Sequence, residues 1–283
     1  MTLTEKKKSL FDVFGFLSFP GLFAREAEAI TQAFEAVWAE HGGGHNGHPH
    51  DDQQNSALLP FIDQHPYLCA LLDDERVEAI GAGLLGEDFN YMSSDGNYFV
   101  GDTVWHSDGY QRAPGYCSIK LAFYLDAVGY ESGCLRVIPG SHKMGDAYAE
   151  GVHATIATSG TNYTEEDWGI PGTAVPALAL ETQPGDLVVF NHRLKHASYG
   201  GSTRRRMFTI NLQQRFRAED EGLLRDCIAS LAGFWTDQVY APIMIETAGP
   251  ARMRHLEQRL AHADHLPDLA AKARREMAEP NRF

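Results

Sequence analysis

Cysteine is scarce in this chain: there are four, Cys69, Cys117, Cys134 and Cys227, and no two form a Cys-x-x-Cys pair. That spacing excludes a zinc ribbon and a dithiol redox motif, and it predicts reduced, mostly buried thiols in a cytoplasmic protein. Basic residues are also few. Lys and Arg number 24 against 38 Asp and Glu, a formal charge of −14, so a nucleic-acid backbone is repelled at long range. A small anion is not, because a buried pocket can be locally basic. No apolar run approaches the ~20 residues that span a bilayer. Lys6-Lys7-Lys8 precedes an apolar patch, but Asp12 and Gly15 interrupt it and no small-residue cleavage site follows. A soluble, unprocessed protein is expected.

What is present reads as one domain over 1–283, with a helical N-terminal region (1–86), a strand-rich core at about 87–216 and a helical C-terminal arm (217–283). Ala27, Ile30, Ala33, Phe34, Val37 and Trp38 recur at helical spacing within Phe23 to Glu40. The His- and Gly-rich stretch 41–50 follows and reads as a mobile loop. A second helical region runs from Tyr67 to Leu85. Strand-like runs follow at Phe89 to Ser93 and Tyr98 to Val104, with Asp95-Gly96 expected as the turn between them. Further strands are predicted at Cys117 to Leu125, Gly133 to Ile138, Leu187 to Phe190 and Arg206 to Phe216. A long insertion from Lys143 to Ala179, with Tyr148, His153, Tyr163 and Trp168, is where substrate-contacting residues are expected. Helical ends around an antiparallel middle predict an α+β protein with a β-sandwich or barrel core.

The chemistry-bearing stretch is Trp105-His106-Ser107-Asp108-Gly109. On an extended strand, positions i and i+2 leave the same face, so His106 and Asp108 point into one site. His196, shortly after the apolar run Leu187-Val188-Val189-Phe190, is the best-placed third ligand, with His192 its competitor. Two imidazoles and one carboxylate on one side of a metal form the facial triad of non-heme Fe(II) oxygenases, which leaves open positions for a co-substrate and dioxygen.

Around this pair, Gly15-Phe-Leu-Ser-Phe-Pro-Gly-Leu22, Gly133-Cys-Leu-Arg-Val-Ile-Pro-Gly-Ser-His142 and Asp186-Leu-Val-Val-Phe190 resemble, in that order, the phytanoyl-CoA dioxygenase family of Fe(II)/2-oxoglutarate oxygenases. The resemblance runs with gaps from Gly15 to Leu212. It implies a double-stranded β-helix, or jelly roll, buttressed by helices, and the cofactors Fe(II), 2-oxoglutarate and O2. It implies His196 rather than His192 as the distal ligand, and a turn histidine bonding backbone at His142. It also implies that a basic residue among Arg204, Arg205 and Arg206 anchors the distal carboxylate of 2-oxoglutarate, with Ser198 bonding the same co-substrate. Tyr98 is a further contact on this reading, and Lys120 the runner-up counter-ion.

The strand pattern chooses among the three arginines without help from the family. If the last strand begins one residue before Arg206, Arg205, Met207, Thr209 and Asn211 share the mixed face, while Arg206, Phe208, Ile210 and Leu212 share the apolar one. Arg205 then faces the cavity. Trp105, Tyr110 and Arg112, around the ligand pair, are further candidates for the pocket wall. The expected activity is oxidation, most simply hydroxylation, of a C–H bond of a small organic molecule, with release of succinate and CO2. A non-catalytic ligand-binding jelly roll and a zinc hydrolase using the same three residues are the alternatives. Asp108 fills the position a chloride would need on the metal, so halogenation is not expected.

Overall fold

The computed structural model describes residues 2–41, 50–156 and 169–281. Its first helix, α1 (Glu5–Phe14), is capped by the Thr4 hydroxyl, which accepts from the Lys7 amide, and it ends on Gly15 at φ +83°. Strand β1 (Phe16–Phe19) leads to α2 (Ala27–His41), whose buried residues are Ile30, Ala33, Phe34, Val37 and Trp38. Short β2 (Ser56–Leu58) precedes α3 (Pro66–Cys69) and α4 (Glu75–Leu85). The helical region expected over 67–85 is thus built of separate segments. Asp74 stops the first segment and starts the second, its carboxylate accepting from the Arg76 amide.

The strands are β3 (Asn90–Phe99), β4 (Thr103–His106), β5 (Ser118–Tyr124), β6 (Leu135–Val137), β7 (Leu178–Leu180), β8 (Leu187–Asn191), β9 (His196–Ser198) and β10 (Arg205–Gln213). They form two antiparallel sheets, one ordered β1-β8-β5-β10-β3-β2 and one β4-β9-β6-β7. Here the expected Asp95-Gly96 turn fails. Both residues sit inside β3, paired to Thr209 and Phe208 of β10, and the chain turns instead at Gly101, φ +64°. Glycine is needed at 96 for closeness: a Cβ there would lie 2.1 Å from the Phe61 ring.

One face of the large sheet, with Ile119, Leu121, Phe123, Phe208, Ile210 and Leu212, packs against the helices. Its other face, with Ala122, Tyr124, Val188, Phe190 and Met207, meets Leu135, Val137 and Leu180 of the small sheet. Period-two alternation on β5 and β10 therefore sorts apolar side chains to the helices and mixed ones to the space between sheets. α5 (Ala147–Thr155) lies in the long insertion. The C-terminal arm is built from α6 (Glu221–Ala229), α7 (Pro242–Glu246), α8 (Pro250–Ala261) and α9 (Leu266–Glu276). It packs onto β3, with His255 of α8 stacked on Phe89 at 3.8 Å. Among the described residues no helix is long and apolar enough to cross a membrane.

Candidate active site

His106 and His196 are cross-strand partners, at the end of β4 and the start of β9. Their ring centroids are 4.1 Å apart. Asp108 lies just past β4, so strand alternation alone does not aim it; its amide donates to the His192 carbonyl at 2.9 Å, which turns the carboxylate back toward the histidines. Asp108 Oδ1 is 3.7 Å from His106 Nε2 and 3.9 Å from His196 Nε2. The three donor atoms lie within 4.8 Å of one another, and this is the one such trio among the described residues. Two atoms each about 2.1 Å from a shared ion are at most about 4.2 Å apart, so Asp108 can share an ion with either imidazole.

The tautomers suit this. Nδ1 of His106 is 2.8 Å from the Val104 carbonyl, and Nδ1 of His196 is 2.8 Å from the Leu194 carbonyl. A carbonyl only accepts, so both Nδ1 atoms carry the proton and both Nε2 lone pairs face Asp108. Burial, with His106 adding to it, pushes His196 down to about 3, which keeps this ring neutral. Burial alone would raise the Asp108 carboxyl, but the Lys120 ammonium outweighs it and holds the group well below the usual carboxylate range.

Lys120 is therefore not placed as expected. Its ammonium pairs with Asp108 Oδ2 at 2.9 Å, which leaves Oδ1 on the side of the histidines, and it is committed to that carboxylate rather than to a co-substrate. Tyr98 is displaced too. It pairs with Arg206 in the β3–β10 ladder, on the helix-facing side, where its hydroxyl donates to Glu35 at 2.6 Å and its ring packs on Trp38. Trp105 also points away, its indole N–H donating to the Gly172 carbonyl on the outer side of the small sheet.

Between the sheets lies a cavity of about 160 Å³, with the triad at one end and Arg205, Ser198, Tyr124, Met207 and Thr209 on its walls. Arg205 is 3% exposed. Its Nη1 donates to the Gly133 carbonyl and to Ser198 Oγ, both at 2.6 Å, while Nε has no partner. The neighbouring Arg206 faces outward and is held by Asp126 and Glu35 at 2.6 and 2.8 Å. A buried guanidinium without a carboxylate, on the wall of a cavity also lined by the three candidate ligand residues, fits a bound 2-oxo diacid.

A family model for phytanoyl-CoA dioxygenase matches residues 11–208. This chain belongs to the phytanoyl-CoA dioxygenase family. The family uses Fe(II), 2-oxoglutarate and O2, and its members are Fe/2-oxoglutarate-dependent oxygenases. No curated protein matches the sequence. Among solved structures, the chain is similar to HygX from Streptomyces hygroscopicus with nickel and 2-oxoglutarate bound. The two are 17% identical, with a TM-score of 0.58 and coverage of 76% of this chain and 89% of that one. It is also similar to the carbocyclase SnoK from nogalamycin biosynthesis, at 20% identity, TM-score 0.57 and coverage of 79% and 91%. EctD from S. alaskensis matches at 21% identity, TM-score 0.56 and coverage of 75% and 77%. At these identities the likeness is one of fold.

The remaining expectations divide. His192 sits in the turn after β8, its Nε2 3.1 Å from Asn211 Oδ1. His142 sits in a turn against the Asp12 carbonyl. Tyr110 stacks on His153 and donates to Glu150. Of the stretch 41–50, His50 bonds Ser56 and the Thr203 carbonyl, whereas His45 and His48, like Tyr163 and Trp168, lie outside the described residues. Sequence reading missed Asp95, which lines the cavity and accepts from Thr209, Asn211 and Asn97. The alternation Ser93, Asp95, Asn97, Phe99 was the available signal.

Proposed function

We propose that this family member oxidises, most simply by hydroxylation, a C–H bond of a small organic molecule, coupled to conversion of 2-oxoglutarate into succinate and CO2. In this reading the two sheets form a double-stranded β-helix within a single catalytic domain. His106, Asp108 and His196 hold Fe(II), which supplies the activation of dioxygen. Arg205 neutralises the distal carboxylate of 2-oxoglutarate, and Ser198 fixes the guanidinium. The backbone carbonyls of Val104 and Leu194 hold each imidazole with Nε2 forward, and Lys120 holds Asp108 to one free oxygen. Phe190, Leu135 and Met207 give the cavity apolar wall, which limits water around a bound co-substrate.

The observation that supports this reading is Arg205, buried without a carboxylate partner on the same cavity as the three candidate ligand atoms, as a co-substrate with a distal carboxylate needs. Anaerobic addition of 2-oxoglutarate to the Fe(II) protein is expected to produce the visible charge-transfer band of a chelated 2-oxo acid. A colourless complex overturns the reading.

A further inference from the structure

A second cavity, of about 250 Å³, lies between the sheets' open end and the C-terminal arm. Asp95, Asp108 and Lys120 line both cavities, so the two meet at the triad's carboxylate. Strand β10 runs past both. Arg205 at its start faces the first cavity, and Asn211, six residues on along the same face, faces the second, a span of about 20 Å.

The far wall of the second cavity carries another buried cation. Arg259 of α8 is 1% exposed, and its Nε and Nη1 have no hydrogen-bond partner. The contrast within the same helix is instructive. Arg252, 3% exposed, is paired with Asp73, whereas among the described residues no carboxylate lies within ion-pair distance of Arg259. The two acids on the cavity are already committed, Asp108 to Lys120 and Asp95 to Thr209, Asn211 and Asn97. Arg112 adds a second guanidinium at the exposed edge, and Leu59, Met92 and Leu231 supply apolar wall. A guanidinium taken out of water without a counter-charge is costly, and an entering anion removes that cost.

We infer that this second cavity is the substrate site, and that the substrate is a small carboxylate with an apolar body: its carboxylate is held by Arg259 and its body points back toward Asp108. The inference rests on the iron and 2-oxoglutarate reading for which end of the substrate reacts, but the anion site stands on Arg259 alone.

The test is calorimetric binding of butanoate, hexanoate and octanoate, each against its neutral amide, to the apoprotein and to the anaerobic Fe(II)/2-oxoglutarate enzyme. At least one carboxylate is expected to bind about tenfold or more tighter than its amide, as a charge-assisted bond to a buried guanidinium implies. Arg259→Met is expected to bring acid and amide within about twofold while leaving the 2-oxoglutarate charge-transfer band in place. Should that variant misfold, Ser230→Asp, at the exposed rim of the same cavity, is expected to weaken the carboxylates and spare the amides. Equal binding of acid and amide, a preference that survives both changes, or no binding of any carboxylate overturns the substrate site. Loss of the charge-transfer band in the unmodified enzyme overturns the cofactor reading instead, and carboxylate binding to the apoprotein separates the two failures.

Discussion

At the scale of single residues, the contrast between Arg205 and Arg206 shows how one step along a strand changes a side chain's role. Both are arginines on β10, yet one is buried beside Ser198 and the other bridges Asp126 and Glu35 near the surface. Truncating one partner of a desolvated charge pair costs roughly 2–5 kcal/mol, whereas part-exposed ion pairs contribute about 0–1 kcal/mol. Arg205→Ala is therefore expected to raise the Kd for 2-oxoglutarate at the Fe(II) protein by roughly 30-fold to several thousandfold. Arg206→Ala and Arg204→Ala are expected to change it several-fold at most. Titration of the charge-transfer band measures all three, and a mild Arg205→Ala beside a crippling Arg206→Ala overturns the assignment. At the metal end, Lys120→Met frees Asp108 Oδ2 and is expected to weaken Fe(II) retention under chelator competition without abolishing it.

At the scale of elements, β3 is the strand whose identity the linear pattern conceals. Asp95-Gly96 is a strong turn signal in isolation, but pairing with β10 on one side and β2 on the other keeps the chain extended through it. Glycine serves there to admit the Phe61 ring, which also packs on Phe208 and Phe34. Adding a methyl to a filled core costs typically about 1–3 kcal/mol, and a 2.1 Å clash against a ring places Gly96→Ala at the upper end or beyond. Urea unfolding is expected to show this as a lowered midpoint with the slope unchanged. Asp95 faces the cavity from the same strand, so a shifted β3 should also disturb the co-substrate site.

At the scale of the whole molecule, stability turns on a buried acid that joins distant parts of the chain. Asp63, fully buried, accepts from the Tyr91 hydroxyl of β3 and from the Ala241 amide ahead of α7. Burial is the largest influence and lifts its carboxyl to about 6 from 3.8. The folded state therefore holds a proton that the unfolded state has released between about pH 4 and 6. Stability from this group is fully present below that window and is lost as pH rises through it. At about 1.4 kcal/mol per pKa unit the change is on the order of 3 kcal/mol. Asp63→Asn removes the titration, so the wild-type advantage over the variant in urea midpoint is expected to shrink from pH 4 to pH 6 and to level off above. A difference that does not vary with pH overturns the assignment of the effect to Asp63.

The sequence by itself put His106 next to Asp108 and Arg205 on the inward face of its strand, because both are written in short-range spacing, whereas His196 was chosen over His192 through the family resemblance. His106 and Asp108 are two residues apart, the alternation on β10 separates Arg205 from Arg206, and flanking motifs carry the family. These are local properties, and an amino-acid string states local properties directly. Tertiary structure decided what depends on partners distant in the chain. It matched Lys120 to Asp108, placed Tyr98 under α2 rather than in the cavity, and ran β3 straight through its own turn signal. It also brought Arg259, on an ordinary amphipathic helix more than 150 residues past Asp95, to the same cavity as that residue. No spacing rule reaches so far, because the position of a helix end relative to a sheet is set by packing of both against the core and not by the residues in between.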